Sequence, residues 1–244
     1  MTDPTVVTPY GGDKNAKKAE VASMFNNIAG NYDFLNHFFS MGIDKRWRKK
    51  VVRIVGKLRP QRILDVATGT GDLAIALTAV RPEKIIGIDI SEGMLEKGRQ
   101  KIMDQSLSNV IALQYGDSEN IHFEDEQFDA VTVAFGVRNY QNLEKGLSEM
   151  HRVLKKGGVL VVLEFSKPSN WFFRQAYYFY FFNVLPFIGR MVSKDSRAYT
   201  YLPESVKAFP DGSVFAGKLK EAGFKTVKCT SLTFGISTIY EAGK

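Results

Sequence analysis

Apolar positions change rhythm twice along this chain. From about residue 18 to residue 59 they recur at helical spacing among basic residues, with breaks near Gly30 and Gly42. A different rhythm starts at RILDVA (62–67), a short apolar run that ends in the loop Thr68-Gly69-Thr70-Gly71 and passes into helically spaced DLAIALTAV (72–80). KIIGIDI (84–90) reads as a second strand and SEGMLEKGRQKIMDQ (91–105) as a helix, with Ser91 at its N-cap and Glu92 in its first turn. VIALQYGD (110–117) and FDAVTVAFG (128–136) are strands three and four. LEKGLSEMHRVL (143–154) is a helix ended by a turn at Lys155-Lys156-Gly157-Gly158, before strand five, VLVVLEFS (159–166). A helix, SVFAGKLKEAG (213–223), and two strands, FKTVKCTSLTF and ISTIYEAGK, complete the chain. Strands alternating with helices at this spacing predict βαβ units and a parallel sheet, an α/β fold. The nearly continuous apolar strands agree, because parallel strands are covered on both faces.

The expected organisation is a mobile polar tail over 1–18 followed by one domain over 19–244. That domain divides into an N-terminal helical lid (19–59), a binding core (60–166), an aromatic cap insertion (167–210) and a C-terminal helix and strands (211–244). A chain of 244 residues buries a full core without disulfides or a structural metal. The single cysteine, Cys229, reads as a packed thiol in a late strand and fits a reducing cytosol.

Charge and aromatic content change the picture once they are located. Nine of the 33 bases lie between Lys45 and Arg62 with no acid among them, leaving 24 bases against 26 acids elsewhere, so the formal +7 is one local patch. Similarly, WFFRQAYYFYFF (171–182) holds nine of the 30 aromatics. Neither segment spans a membrane: the unbroken apolar runs fall far short of the ~18 residues required. The aromatics occupy nearly all sides of a helix, which predicts burial all round or a lipid-facing surface.

The loop DVATGTGDLA sits where an open α/β sheet places its ligand, between the end of strand one and a helix. Gly69, Gly71 and Ala74 satisfy the dinucleotide pattern G-x-G-x-x-A, a weak signal alone. A pyrophosphate would rest on the first turn of that helix. Here the turn begins with Asp72, and Asp65 precedes the loop. Two flanking carboxylates favour a cationic ligand without phosphate, S-adenosylmethionine, which carries an ammonium and a sulfonium. Asp89, ending strand two, is placed to accept hydrogen bonds from both ribose hydroxyls. Met94 is placed to cover an adenine face, and Asp117-Ser118 to meet the adenine edge.

DVATGTGD, GIDIS, GDSENIHF, FDAVTVAFGVRN and LKKGGVLVVLEFSKP resemble, in order, the motifs of class I S-adenosylmethionine-dependent methyltransferases. More narrowly, FNNIAGNYDFLN (25–36), GTGD, FGVRN and LEFSKP resemble the ubiquinone/menaquinone biosynthesis C-methyltransferases, the UbiE/MenG group. The resemblance covers about residue 20 to the C-terminus. It implies a Rossmann-like three-layer sandwich whose seven-stranded sheet is mostly parallel with an antiparallel last strand. It also implies methyl transfer to a ring carbon of a demethylmenaquinol or a polyprenyl benzoquinol. Thr70, Asp89, Asp117 and Ser118 match the group's cofactor contacts, and Tyr32 and Asp33 match a segment closing over the methionine end. This chain has Ala134 where some members carry a contacting serine. Ala67 also stands in the first glycine position of the general D-x-G-x-G-x-G loop.

Methylating a ring carbon needs an electron-rich quinolate held roughly 3–3.5 Å from the sulfonium methyl. Arg138 is expected to lower the quinol pKa or position a water, and Asn139 to orient the ring. The bland readings are an Arg138 paired to an acid and an Asn139 that starts a turn. Among the histidines, His37 is a candidate base, while His122 and His151 read as solvated. No set of residues has metal-ligand spacing. The aromatic insertion is read as a cap helix or a lid for a prenyl tail, and the basic segment as a solvated helix face or a site for anionic headgroups. The expected partners are a prenylated quinol and a membrane surface touched from the cytoplasm, without nucleic acid; a homodimer stays open. An RNA or other small-molecule methyltransferase, an NAD(P) oxidoreductase and a non-catalytic cofactor-binding protein remain as alternatives.

Overall fold

The computed structural model describes residues 7–34, 40, 42–168, 170–184 and 197–244. His37, the first six residues of the expected tail and 185–196 of the aromatic insertion lie outside the described residues. Seven strands form one sheet: β1 (Arg62–Val66), β2 (Lys84–Asp89), β3 (Ile111–Tyr115), β4 (Phe128–Ala134), β5 (Leu154–Phe165), β6 (Thr226–Leu232) and β7 (Ser237–Gly243). Their order is β3-β2-β1-β4-β5-β7-β6. The first five pair in parallel, and β7 runs antiparallel to both β5 and β6. This is the mostly parallel seven-stranded α/β sandwich that the pattern and the resemblance predict.

The period-two alternation of the strands sends neighbouring residues to opposite layers. Leu64, Val66, Val131 and Val162 pack beneath α5 (Leu143–Val153) and α8 (Ser213–Glu221), through Leu147, Met150 and Phe215. Ile63, Ala130 and Val161 face α2 (Ile43–Gly56), α3 (Asp72–Leu77) and α4 (Glu92–Asp104), through Val51, Leu77 and Leu95. Each such large side chain, fully buried, stabilises the fold by roughly 1.5–3 kcal/mol. In α2 the spacing of Trp47, Val51, Ile54 and Val55 builds one buried stripe, which leaves Lys45, Arg46, Lys49 and Arg53 exposed. The basic patch is therefore the outer face of a packed helix.

The lid and cap close over the carboxyl ends of the strands. α1 (Lys17–Ile28) packs through Val21 and Met24 against Met94 of α4 and Tyr199 and Tyr201 of α7 (Arg197–Ala208). Asn26 Oδ1 accepts hydrogen bonds from the Ser91 hydroxyl at 2.8 Å and the Gly93 N–H at 2.9 Å, which seats α1 on the N-terminus of α4. In the cap, α6 (Trp171–Phe179) continues into a single π-helical turn at Tyr180–Val184. Its aromatics divide: Tyr177 and Phe181 are buried, whereas Trp171, Phe172 and Phe179 are exposed.

Several expectations change. The tail is tied down from Thr8 onward, because the Glu20 carboxylate accepts from the Tyr10 and Gly12 N–H groups and Arg197 donates to the Pro9 carbonyl. The turn at 155–158 does not separate helix from strand. β5 begins directly after α5, and the extra residues form an irregularity where Phe128 pairs with Leu154 but Ala130 with Val159. Cys229 is exposed on the edge strand β6, since only one side of that strand has a neighbour. His151 packs edge-on against Phe224 at 5.0 Å, and burial lowers its pKa.

Candidate active site

The ends of β1, β2 and β4 converge on the glycine loop. Gly69 and Gly71 take left-handed φ values of +56° and +78°, the region that glycine enters without steric cost, and Gly71 opens α3. Ala67 also has a positive φ, +52°. Its methyl is tolerated because residue 136 is glycine: a Cβ at Gly136 would lie 2.6 Å from the Ala67 Cβ. The glycine of FGVRN thus answers the alanine that replaces the loop's first glycine. Asp89 accepts from the Gly69 N–H at 2.8 Å and the Ser91 N–H at 2.9 Å, joining the loop to the start of α4. Burial raises its pKa, against the pull of those N–H groups. Ser91 caps α4 as expected, accepting from the Met94 N–H at 3.4 Å.

The two carboxylates expected to face a cationic ligand are engaged elsewhere. Asp65 accepts from the hydroxyls of Thr132 and Thr68, both at 2.6 Å, and burial pushes its pKa up to about 6. Asp72 pairs with Lys101 at 2.6 Å and Arg48 at 3.1 Å. Lys101 also holds Asp33 at 2.8 Å, and the Thr70 hydroxyl donates to Asp33 at 2.5 Å. Neither Asp65 nor Asp72 lines either of the two chambers beside the loop. Asp65 braces the loop from below, while Thr70, Asp72 and Asp33 clamp the lid segment to α4. The sequence did not signal these roles, because the partners lie far along the chain.

Seven of the expected residues do converge. A chamber of about 70 Å³ is lined by Gly69, Asp89, Met94, Asp117, Ser118, Asn139 and Tyr32. Lys18 and Glu119 join them unforeseen: Lys18 pairs with Asp117 at 2.7 Å and Glu119 at 3.1 Å. Glu119 in turn accepts from the Gln141 and Asn142 N–H groups, fixing the turn after FGVRN. Asn139 is buried, and its Oδ1 has no partner among the described residues. Among the described residues the lining is acidic, and its one cation, Lys18, is paired. That donor set fits ribose hydroxyls, an adenine amino group and a cationic tail, and it offers no free charge to a pyrophosphate.

Past Phe25, Tyr32 and Phe135, which line both spaces, lies a larger chamber of about 330 Å³. Its wall is mostly aromatic, from Trp47, Phe165, Tyr177, Phe181 and Tyr201. Arg138 enters this wall from the 3-10 turn Val137–Asn139. Its guanidinium pairs with the fully buried Glu164 at 2.9 Å, donates to the Phe135 carbonyl, and lies 5.5 Å from the Phe165 ring centroid. The pairing to an acid is thus present, and it sits on the cavity wall. Glu164 was missed in the sequence reading, although a lone acid in the apolar run VLVVLEF was a signal for it.

An acidic cleft at the ends of a parallel sheet, beside a larger apolar chamber, fits an S-adenosyl-L-methionine-dependent methyltransferase of class I. A profile of the ubiE/COQ5 methyltransferase family matches residues 13–244, and the chain belongs to that family. It is 48% identical over 239 residues to the demethylmenaquinone methyltransferase of Bacteroides fragilis, covering 98% of this chain and 97% of that one. It is also 47% identical over 230 residues to the ubiquinone/menaquinone biosynthesis C-methyltransferase UbiE of a Geobacter strain, covering 93% and 97%. A crystal structure of a methyltransferase from Aquifex aeolicus superposes with a TM-score of 0.57 at 20% identity, over 80% of this chain and 88% of that one, a likeness of fold.

Proposed function

We propose that this protein methylates a ring carbon of a prenylated quinol, converting demethylmenaquinol to menaquinol. One observation carries the reading: the acidic chamber shares Phe25, Tyr32 and Phe135 with an aromatic cavity whose wall holds a buried guanidinium. The similarity to demethylmenaquinone methyltransferases over nearly the whole chain supports it. Bound S-adenosylmethionine supplies an electrophilic methyl on its sulfonium. Asp89 accepts from the ribose hydroxyls, Met94 covers the adenine, and Asn139 lends its unpartnered Oδ1. Arg138 stabilises the quinolate oxygen electrostatically, favouring the ionised ring that attacks the methyl. The aromatic walls exclude water and hold the ring in line. The sulfonium methyl would pass to the ring carbon with release of S-adenosylhomocysteine, and the proton on that carbon would leave to solvent as the ring regains aromaticity.

The reading extends to a lipid surface as the source of the acceptor. Among the described residues no helix is long and apolar enough to cross a membrane. The exposed Phe234 stacks on Phe173 with centroids 4.3 Å apart, and the exposed Phe172 meets Phe173 edge-on at 5.9 Å. Thr233, beside Phe234, accepts from the Trp47 indole at 2.9 Å, so the buried side of α2 adjoins this segment. A basic helix face and exposed aromatics on a neighbouring segment suit an anionic bilayer interface.

The test is incubation with labelled S-adenosylmethionine and, separately, reduced demethylmenaquinone, a demethylated benzoquinol and RNA. Label is expected in the naphthoquinol. Label in RNA alone would overturn the reading.

A further inference from the structure

Two tyrosines that line the large chamber carry buried hydroxyls without partners among the described residues. Tyr177 on α6 and Tyr201 on α7 are 6% and 2% exposed, and neither phenolic oxygen has a hydrogen-bond partner among the described residues. Burying a hydroxyl without a partner is unfavourable, and phenylalanine would fill the same space without that loss. Elsewhere the fold does satisfy a buried phenol: the Tyr240 hydroxyl accepts from the Gly212 N–H at 2.7 Å. Both unpartnered phenols lie within the fields of Arg138 and Glu164. The Arg138 Nε is itself buried without a partner. Three elements, α6, α7 and the turn after β4, thus bring unused polar capacity to one apolar cavity. Burial raises the pKa of both tyrosines, so they stay protonated and act as donors.

We propose that the hydroxyls of Tyr177 and Tyr201 donate hydrogen bonds to the ring oxygens of the acceptor, reading it as a dihydroxy aromatic. This rests on the quinol reading of the site. The two tyrosines orient the ring and stabilise its oxyanion beside Arg138. An acceptor whose oxygens carry methyl groups offers a crowded, weaker acceptor and never forms that oxyanion.

The experiment compares wild type with Tyr177→Phe, Tyr201→Phe and the double variant. It measures kcat and KM for the quinol, S-adenosylmethionine affinity, thermal midpoint, and binding of 2-geranyl-1,4-dihydroxynaphthalene against its dimethyl ether. Each single variant is expected to lose about 10-fold in kcat/KM, and wild type to favour the diol by about 10-fold, as hydrogen-bond energies imply. The double variant should lose that preference while keeping its cofactor affinity and an equal or higher midpoint. A raised midpoint with unchanged kinetics and unchanged diol preference overturns the proposal: the hydroxyls are then buried passengers. Should wild type bind the diol through these tyrosines yet transfer no methyl to it, the oxygen-reading site stands and the quinol methylation falls. Full methylation by the double variant gives the converse.

Discussion

Glu164, fully buried at the end of β5, holds its carboxylate 2.9 Å from the Arg138 guanidinium, 26 residues away in the chain. Burial pushes the Glu164 pKa up, and the Arg138 charge works against that shift. Removing one partner of such a buried pair strands the other charge, so Arg138→Ala should destabilise the protein by about 3–5 kcal/mol. It should also abolish turnover while cofactor affinity, read by calorimetry, persists. The double variant Arg138→Met with Glu164→Gln separates the two effects: stability recovers and turnover does not. Recovered turnover would remove Arg138 from the chemistry.

Asp89 joins the glycine loop to α4 and faces the small chamber. Asp89→Ala should weaken S-adenosylmethionine binding by about 10- to 150-fold, the equivalent of 1.5–3 kcal/mol for hydrogen bonds to a charged group. Calorimetry on the folded variant measures this, and an unchanged dissociation constant would place the ribose elsewhere.

Asp65 titrates within reach of ordinary buffers. Its folded pKa, about 6, lies above the unfolded value of 3.8, so the folded state binds more protons between those limits. The stability that this group contributes is therefore full below about pH 4 and is lost as pH rises through about 6, a change of about 3 kcal/mol at ~1.4 kcal/mol per pKa unit. Urea melts of wild type and Asp65→Asn at pH 4.5 and 7.5 test the sign: wild type should gain on the variant at the lower pH. A difference that does not vary with pH would contradict the buried carboxyl.

Lys45, Arg46 and Lys49 form the exposed face of α2. Reversing all three to Glu should cut sedimentation with anionic vesicles at low salt by more than about 100-fold, given about 1 kcal/mol per basic residue near such a surface. Binding of S-adenosylmethionine should be unaffected. Equal sedimentation of variant and wild type would rule out α2 as a membrane contact.

The sequence by itself determined the sheet, the loop and the position of Asp89, because these follow from local pattern. Apolar runs of five to seven residues make covered parallel strands, glycines at 69 and 71 permit left-handed turns, and Ser91 caps the helix after β2. Met94, Asp117, Ser118 and Asn139 meet in one chamber for the same reason: each follows the carboxyl end of β2, β3 or β4 by a few residues. Only the tertiary structure decided where the carboxylates point. Asp65 turns to Thr132, Asp72 to Arg48 and Lys101, and Glu164 to Arg138, each drawn to a partner that folding brings from a distant segment. Of the two acids that argued for a cationic cofactor, Asp65 holds Thr68 of the loop and Asp72 holds Arg48 and Lys101, while Asp89, Asp117 and Glu119 supply the acidic lining. Tyr177 and Tyr201 stood within aromatic and helical patterns that report burial alone. Their role depends on which hydroxyls remain unpartnered once the chain has closed around the cavity, and no local pattern encodes that.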